Sequence, residues 1–254
     1  GAVTITGGSL TVNGSIAVGK TGGTGTFDQS GGVSTSLEFV LGSDAAGMTT
    51  TTVSGGEFNT GWLSIGKQGG TGVFFQTGGQ VTAEHLGIAD QLDDTYSSGG
   101  FRLYDGVLNV RGGSIGAARL GASASFTQSG GTHNVGINGL TIQGSATGPS
   151  SYDLWGGNLN TTRTDIISAT MYHDAGTHHV DGQLSLWAGT YTLSAAGSLI
   201  TTDTWISGAS VMNHSGGTHT VDSLSVGGGG GTYDLSATGA LMARGTVVGY
   251  LGAG

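Results

Sequence analysis

The chain has 254 residues, including 54 Gly, one Pro and no Cys, and its formal net charge is −9 with only seven Lys and Arg. So few cations cannot cover a phosphate backbone or an anionic membrane surface, which argues against nucleic acid and membranes as partners, and no apolar run reaches the roughly 18 residues of a membrane span. With 36% hydrophobic and 9% charged residues, the chain is too apolar for disorder, so its glycines indicate a turn-dense fold.

A short motif recurs along the chain. Residues 26–32 read Thr-Phe-Asp-Gln-Ser-Gly-Gly, and close variants of this motif occupy residues 73–79 and 125–131. Alignment on the second glycine, or on its one-glycine substitute, gives about eleven units of about 23 residues, a period typical of solenoids. The successive corner glycines are Gly8, Gly32, Gly56, Gly79, Gly106, Gly131, Gly157, Gly176, Gly197, Gly217 and Gly239.

Each unit contains three short strand patterns. In the first unit these are residues 2–5, 9–12 and 15–19, and a loop at residues 20–23 closes the unit. Three strands and three corners per turn predict an all-β fold, a single parallel β-solenoid of about eleven coils with three short strands each. The crossover preference favours a right-handed coil. Because composition does not change along the chain, we expect one domain over residues 1–254.

Three positions around each glycine corner form columns that are predicted to face the core. The first column, four residues before the turn, is almost entirely large: Val3, Phe27, Thr51, Phe74, Phe101, Phe126, Tyr152, Met171, Tyr191, Met212 and Tyr233. The second alternates apolar and polar: Ile5, Gln29, Val53, Gln76, Leu103, Gln128, Leu154, His173, Leu193, His214 and Leu235. The third follows the turn and alternates except at Val81: Leu10, Ser34, Phe58, Val81, Leu108, His133, Leu159, His178, Leu199, His219 and Leu241.

The alternation predicts a repeat of two coils, about 45 residues, in which every second coil is polar at its glycine corner. A buried polar group without a partner costs about 1–3 kcal/mol. We therefore expect the polar side chains of one corner to hydrogen-bond each other or the carbonyls of the corner. The predicted structural corner residues are Gln29, Gln76, Gln128, His133, His173, His178, His214 and His219, with Ser34 as the partner of Gln29.

Histidine and aspartate groups are the only weak candidates for a metal site. The two histidine pairs are predicted to lie two coils apart, about 9.6 Å along the axis, which is too far for one zinc ion. The acidic cluster does not have the spacing of a known calcium loop. We therefore predict no metal, no cofactor and no catalytic residue, since the basic residues are dispersed and the carboxylates do not cluster. The weak candidates are His173, His178, His214 and His219 for zinc, with Asp174 or Asp181, and Asp90, Asp93 and Asp94 for calcium.

Two units carry long insertions at the same corner, residues 89–98 and 143–150. A solenoid accepts extra residues there without breaking a strand ladder. These loops are the candidate contact surface of an adhesin. An aromatic-lined groove with convergent carboxylates on one outer face would instead indicate a glycan-binding or glycan-cleaving solenoid.

The pattern Phe-x-Gln-Ser-Gly-Gly, followed by a Leu-x-Ile/Val-Gly strand and a Gly/Ser loop, resembles the repeats of large bacterial surface proteins of the autotransporter-passenger-like and exported sorting-signal kinds. The resemblance covers nearly the whole chain and implies a solenoid at the cell surface, with no functional residue carried over. We expect a non-enzymatic extracellular rod, either a filament subunit or a segment of a surface stalk. Its expected partner is itself through end-to-end stacking, and cell-surface glycans are the second partner class. Neither end of the sequence has a cap pattern, which predicts either a longer solenoid or stacked subunits.

Overall fold

The computed structural model describes residues 1–44, 47–89, 97–115, 123–145 and 148–250, and this part of the chain contains strands and no helix. The strands are β1 Ala2–Ile5, β2 Ser9–Val18, β3 Thr26–Gln29, β4 Val33–Ser43, β5 Thr49–Val53, β6 Glu57–Lys67, β7 Thr71–Ile88, β8 Ser98–Ile115, β9 Ser123–Gln128, β10 Thr132–Gln143, β11 Ser150–Leu154, β12 Asn158–Thr161, β13 Thr164–Ile167, β14 Thr170–His173, β15 Thr177–Trp187, β16 Thr190–Leu193, β17 Ser198–Ser207, β18 Val211–His214, β19 Thr218–Gly227, β20 Thr232–Leu235 and β21 Ala240–Tyr250.

The strands stack in parallel into a β-solenoid of about ten turns, which confirms the predicted fold class. The first face shows the stacking most simply, because the pairings β1–β3–β5–β7–β8–β9–β11–β14–β16–β18–β20 make eleven rungs. At about 4.8 Å per rung the rod is roughly 50 Å long. The right-handed sense of the coil stays a prediction.

The second and third strands of a coil differ from the prediction, because in most coils they form one continuous strand. The corner between them is a bend at which the pairing register shifts, as between Val12 and Ser15 where β2 pairs with β4. In β7 and β8 the strand continues through the glycine corner as well. Only one coil has separate second and third strands, β12 and β13, among the residues that the structure describes.

The predicted core columns are stacked in register. Phe74 pairs with Phe101, Phe101 with Phe126 and Phe126 with Tyr152, and their rings stack at centroid distances of 4.8, 4.9 and 4.6 Å. Each fully buried aromatic side chain contributes roughly 1.5–3 kcal/mol of transfer free energy. The third face adds a column of aliphatic residues that the sequence analysis did not list: Val18, Leu41, Ile65, Ile88, Ile115, Ile142, Ile166, Leu186, Ile206, Val226 and Val248.

Most corner glycines lie on top of one another in the left-handed backbone region. Gly131 has a φ of 63°, and a Cβ built there would lie 2.6 Å from the carbonyl oxygen of Gly106 on the preceding coil. The two corners that end at Gly197 and Gly239 contain one residue more than the others. At one of them the amide of Gly197 donates to the carbonyl of Ser194, and Ala195 takes the positive φ of 46°. The extra residue therefore forms a β-turn.

No helix in the described part of the chain is long and apolar enough to cross a membrane. Of the two insertions, residues 90–96 and 146–147 lie outside the described residues. The candidate ligands Asp90, Asp93 and Asp94 are among them.

Candidate functional site

The polar corner residues lie inside the rod. All eight are 0–1% exposed, and they are stacked between the aliphatic members of the same column. Gln29, for example, pairs with Ile5 on one side and Val53 on the other. In each polar corner the glutamine or histidine of the second column also places its Nε2 atom 3.1–3.4 Å from the carbonyl oxygen of the corner glycine. These glycines are Gly32, Gly79, Gly131, Gly176 and Gly217.

The first polar corner is satisfied by one pair of side chains together with backbone carbonyls. The Ser34 hydroxyl donates to Oε1 of Gln29 at 2.6 Å. The Nε2 group of Gln29 donates to the carbonyl of Gly32 at 3.3 Å and to that of Glu57, on the next coil, at 2.9 Å. Both amide hydrogens and the amide oxygen of Gln29 therefore have partners, as the sequence analysis expected of a buried pair.

At the later corners a tyrosine from the next coil joins the pair. The hydroxyl of Tyr152 donates to Oε1 of Gln128 at 2.6 Å and lies 3.0 Å from Nδ1 of His133. Because the single hydroxyl hydrogen is used on Gln128, Nδ1 of His133 must carry the proton and donate to the tyrosine oxygen. This fixes Nε2 of His133 as an acceptor.

The next polar corner has two histidines around one tyrosine. Nε2 of His173 lies 3.1 Å from the carbonyl of Gly176, an acceptor, so that nitrogen carries the proton. Tyr191 then donates to Nδ1 of His173 at 2.9 Å and accepts from Nδ1–H of His178 at 3.1 Å. The chain of bonds ends on Nε2 of His178, which accepts from the hydroxyl of Thr164 at 3.2 Å. This chain of hydrogen bonds requires both imidazoles to be neutral.

The same arrangement returns two coils later. The Tyr233 hydroxyl lies 2.7 Å from Nδ1 of His214 and 3.1 Å from Nδ1 of His219. Nε2 of His219 lies 3.2 Å and 3.3 Å from the hydroxyls of Thr201 and Thr204. Because the same hydrogen-bond network occurs twice, the tyrosine and the two threonines are regular components of the histidine corners.

At two polar corners one buried side-chain atom has no hydrogen-bond partner. In both cases the sequence has an apolar residue or glycine where the other corners have a hydroxyl. Oε1 of Gln76 has no partner, and Val81 stands where Ser34 stands in the first polar corner. Nε2 of His133 has no partner either, and Val110 and Gly113 occupy the positions that hold threonines beside the other histidines.

Burial sets the protonation of these groups. It lowers the pKa of His133 and of His219 to about 3 and that of His173 to about 4, and it lowers the pKa of His178 well below 6.5. Burial also raises the pKa of Tyr191 well above 10. The histidines are therefore neutral at neutral pH, as the hydrogen-bond directions require.

In this arrangement every ring nitrogen of the histidine pairs considered as zinc candidates already has a hydrogen-bond partner. The rings of His173 and His178 are 6.4 Å apart, and each Nδ1 faces the same tyrosine hydroxyl. Asp174 accepts from Ser194, and Asp181 lies 3.4 Å from His179. In the described part of the chain no three His, Cys, Asp or Glu side chains come together as a metal site.

The outer surface has a groove of about 450 Å³ where the second face meets the third. Its lining carboxylates are Glu84 and Asp181, which lie four coils apart, about 19 Å. That exceeds the 5–9.5 Å of a glycosidase pair. A second depression, of about 360 Å³, borders Trp205 and contains no carboxylate. Neither has the aromatic lining with convergent carboxylates that would favour glycan cleavage.

The groove wall carries a ladder of asparagines that the sequence analysis missed. Nδ2 of Asn160 donates to Oδ1 of Asn134 at 2.8 Å, and Nδ2 of Asn134 donates to Oδ1 of Asn109 at 2.9 Å. The signal was present in the alignment, because asparagine recurs at one outward position of three successive units. The tyrosine hydroxyls were missed for a different reason, since their column was assigned to apolar packing.

Comparison with protein-family models, with curated proteins and with solved structures found no match. The function proposed below therefore rests on the geometry of this chain and on its repeat pattern.

Proposed function

We propose that this chain is a structural, non-enzymatic extracellular rod, either a filament subunit or a segment of a cell-surface stalk, joined end to end to more of the same fold. The observation that carries the proposal is the continuity of the core. The inward columns pass from coil to coil in register, and most of the buried polar corners are closed by hydrogen bonds between coils. Such a structure resists bending and separation along its axis.

The end rungs of the described solenoid have surfaces that a further rung would cover. The inward columns reach both ends, where their members are exposed: Val3 at 45%, Leu235 at 48% and Val248 at 76%. An end rung also presents unpaired strand edges, which template the addition of another strand. Further repeats of the same polypeptide or a second copy would cover both features equally well.

The cell-surface assignment is supported by the resemblance of the Phe-x-Gln-Ser-Gly-Gly repeat to bacterial surface proteins. The low share of charged residues in the chain, 9%, agrees with a passive rod. Self-association is accordingly the expected interaction.

The test is electron microscopy and light scattering of the purified chain, compared with a Val3→Lys/Val248→Lys variant. We expect the parent to form particles longer than one 50 Å rod and the variant to form shorter ones, because lysine blocks both end surfaces. Ile137→Lys is the matched control, since Ile137 is 72% exposed away from the ends. A monodisperse 25.0 kDa monomer without fibres would contradict the proposal.

A further inference from the structure

The groove between the second and third faces is a built feature of five successive coils. Its wall carries Thr82, Asn109, Asn134 and Asn160, which are in register one rung apart. Its floor includes the buried side chains of Val110 and Val135, which are 4% and 3% exposed. Glu84, Arg111 and Asp181 lie on the other side.

The asparagine ladder holds its amides at a fixed orientation and spacing. Within the ladder Asn160 uses one hydrogen, Asn109 uses one lone pair and Asn134 uses one of each. An amide has two hydrogens and an oxygen that accepts two bonds, so each of the three keeps at least one donor and one acceptor. The wall therefore offers a donor and an acceptor at each rung, about 4.8 Å apart along the axis.

One ion pair and one further carboxylate, that of Asp181, border the groove. Glu84 and Arg111 form an ion pair at 3.5 Å, and His179 lies 3.4 Å from Asp181. The whole chain has a net charge of −9, which repels polyanions. The groove thus suits a neutral ligand whose polar groups exchange hydrogen bonds with amides.

We propose that this groove binds a neutral, linear, β-linked glycan chain lying parallel to the solenoid axis. The hydroxyl rim of a pyranose ring carries donors and acceptors that match those of the amide wall. An extended β-linked chain advances by about one ring per rung, so successive rings meet successive asparagines. The groove spans four rung intervals, about 19 Å, which is enough for about four rings. The inference goes beyond the rod function and does not depend on it.

The probes are cellohexaose, xylohexaose and mannohexaose, titrated into the intact chain by calorimetry and by ¹⁵N NMR of the side-chain amides. We expect at least one of them to bind at millimolar or lower concentration and to shift the amide signals of Asn109 and Asn134. The Asn109→Leu/Asn134→Leu variant keeps the side-chain shape and loses the amides, so its affinity should fall at least about tenfold.

Two control variants test whether the loss of glycan binding is specific to the groove. Asn59→Leu changes the same outward column one coil outside the groove, and Trp205→Ala removes the aromatic side chain of the second depression. Both should bind within about twofold of the parent. A thermal melt checks that each variant is folded. If the double variant does not fold, the amide shifts of the parent and a single Asn134→Leu variant decide.

Several results would overturn the proposal. One is the absence of binding by all three neutral hexasaccharides at millimolar concentration. Another is unchanged affinity in the folded ladder variant, and a third is loss of binding in Trp205→Ala. Tighter binding of an oligogalacturonate than of the neutral chains would overturn the predicted ligand class.

Discussion

The hydroxyl oxygen of Tyr191 lies 2.9 Å from Nδ1 of His173 on the preceding coil. The same oxygen lies 3.1 Å from Nδ1 of His178, so one hydroxyl joins both polar residues of a corner to the coil above them. This contact shows how a solenoid can bury imidazoles at 0% exposure without leaving their ring nitrogens unpaired.

Removing the Tyr191 hydroxyl should lower the stability of the fold. The Tyr191→Phe variant leaves two buried ring nitrogens without a partner, so we expect the free energy of unfolding to fall by about 2–4 kcal/mol. Urea denaturation measures the change. Tyr172→Phe is the control, because Tyr172 is 45% exposed, and it should change stability by no more than about 0.5 kcal/mol. Equal effects of the two substitutions would contradict the shared role of the Tyr191 hydroxyl.

A hydroxyl at position 81 should complete an unfinished corner. The Val81→Thr variant keeps the side-chain size and places a donor where Ser34 stands in the first polar corner, within reach of Oε1 of Gln76. We expect its stability to stay unchanged or to rise by about 1 kcal/mol. Val226→Thr should lose about 1–3 kcal/mol, because it places a hydroxyl among the buried aliphatic side chains of the third-face column. Chemical denaturation compares them, and an equal loss in both variants would rule out the missing-donor explanation.

The second unfinished corner offers a test at one position. A Cβ at Gly113 would meet no atom closer than 3.7 Å, and the equivalent residues Thr164 and Thr204 bond the histidines of later coils. We expect Gly113→Thr to be more stable than Gly113→Val by about 1–3 kcal/mol, since only threonine donates to Nε2 of His133. Ordinary burial predicts the opposite order. Thermal melts of the two variants therefore give a clear answer, and a more stable valine variant would refute the prediction.

The strand stacking could be predicted from the sequence because glycine corners at a fixed period set the register of every inward position. The alternation of Gln29, Val53 and Gln76 placed these three residues in one column, and the structure pairs them in that order. The exception at Val81 is also visible in the sequence, and its consequence in the structure is the unpaired Oε1 of Gln76.

The hydrogen bonds between coils could not be predicted in the same way. A column assigned to aromatic packing does not show that the hydroxyl of Tyr152 reaches Gln128, because that depends on how far successive coils are offset around the corner. The hydrogen bond from Thr164 to His178 could not be predicted, because Thr164 lies on the third face and the pairing register shifts at the bend before that face. The asparagine ladder lay on the outward side, for which burial gives no pattern.

Acid should destabilise the fold through its histidines. Burial lowers the pKa of His133 and His219 to about 3 and that of His173 to about 4, compared with about 6.5 in an unfolded chain. The unfolded state therefore binds more protons below about pH 6.5, so the stability present above that pH is lost as pH falls toward about 3. Each such histidine contributes about 1.4 kcal/mol per pH unit within this window.

Urea denaturation at a series of pH values measures the slope. A His173→Gln/His178→Ser variant copies the pair formed by Gln29 and Ser34, so its stability should fall less steeply with acid. A parent protein equally stable at neutral pH and at about pH 4.5 would be incompatible with neutral buried histidines.

The central claim is that alternating polar residues are sealed within the rod and hydrogen-bonded from coil to coil. Long-range ¹H–¹⁵N NMR of the imidazole rings tests it most directly, because it reports which nitrogen carries each proton. We expect His173 to be protonated on Nε2 and His178 on Nδ1, and both to stay neutral well below pH 6.5, because burial lowers the pKa of each. Histidines that titrate near pH 6.5, or a single tautomer shared by both residues, would contradict the claim.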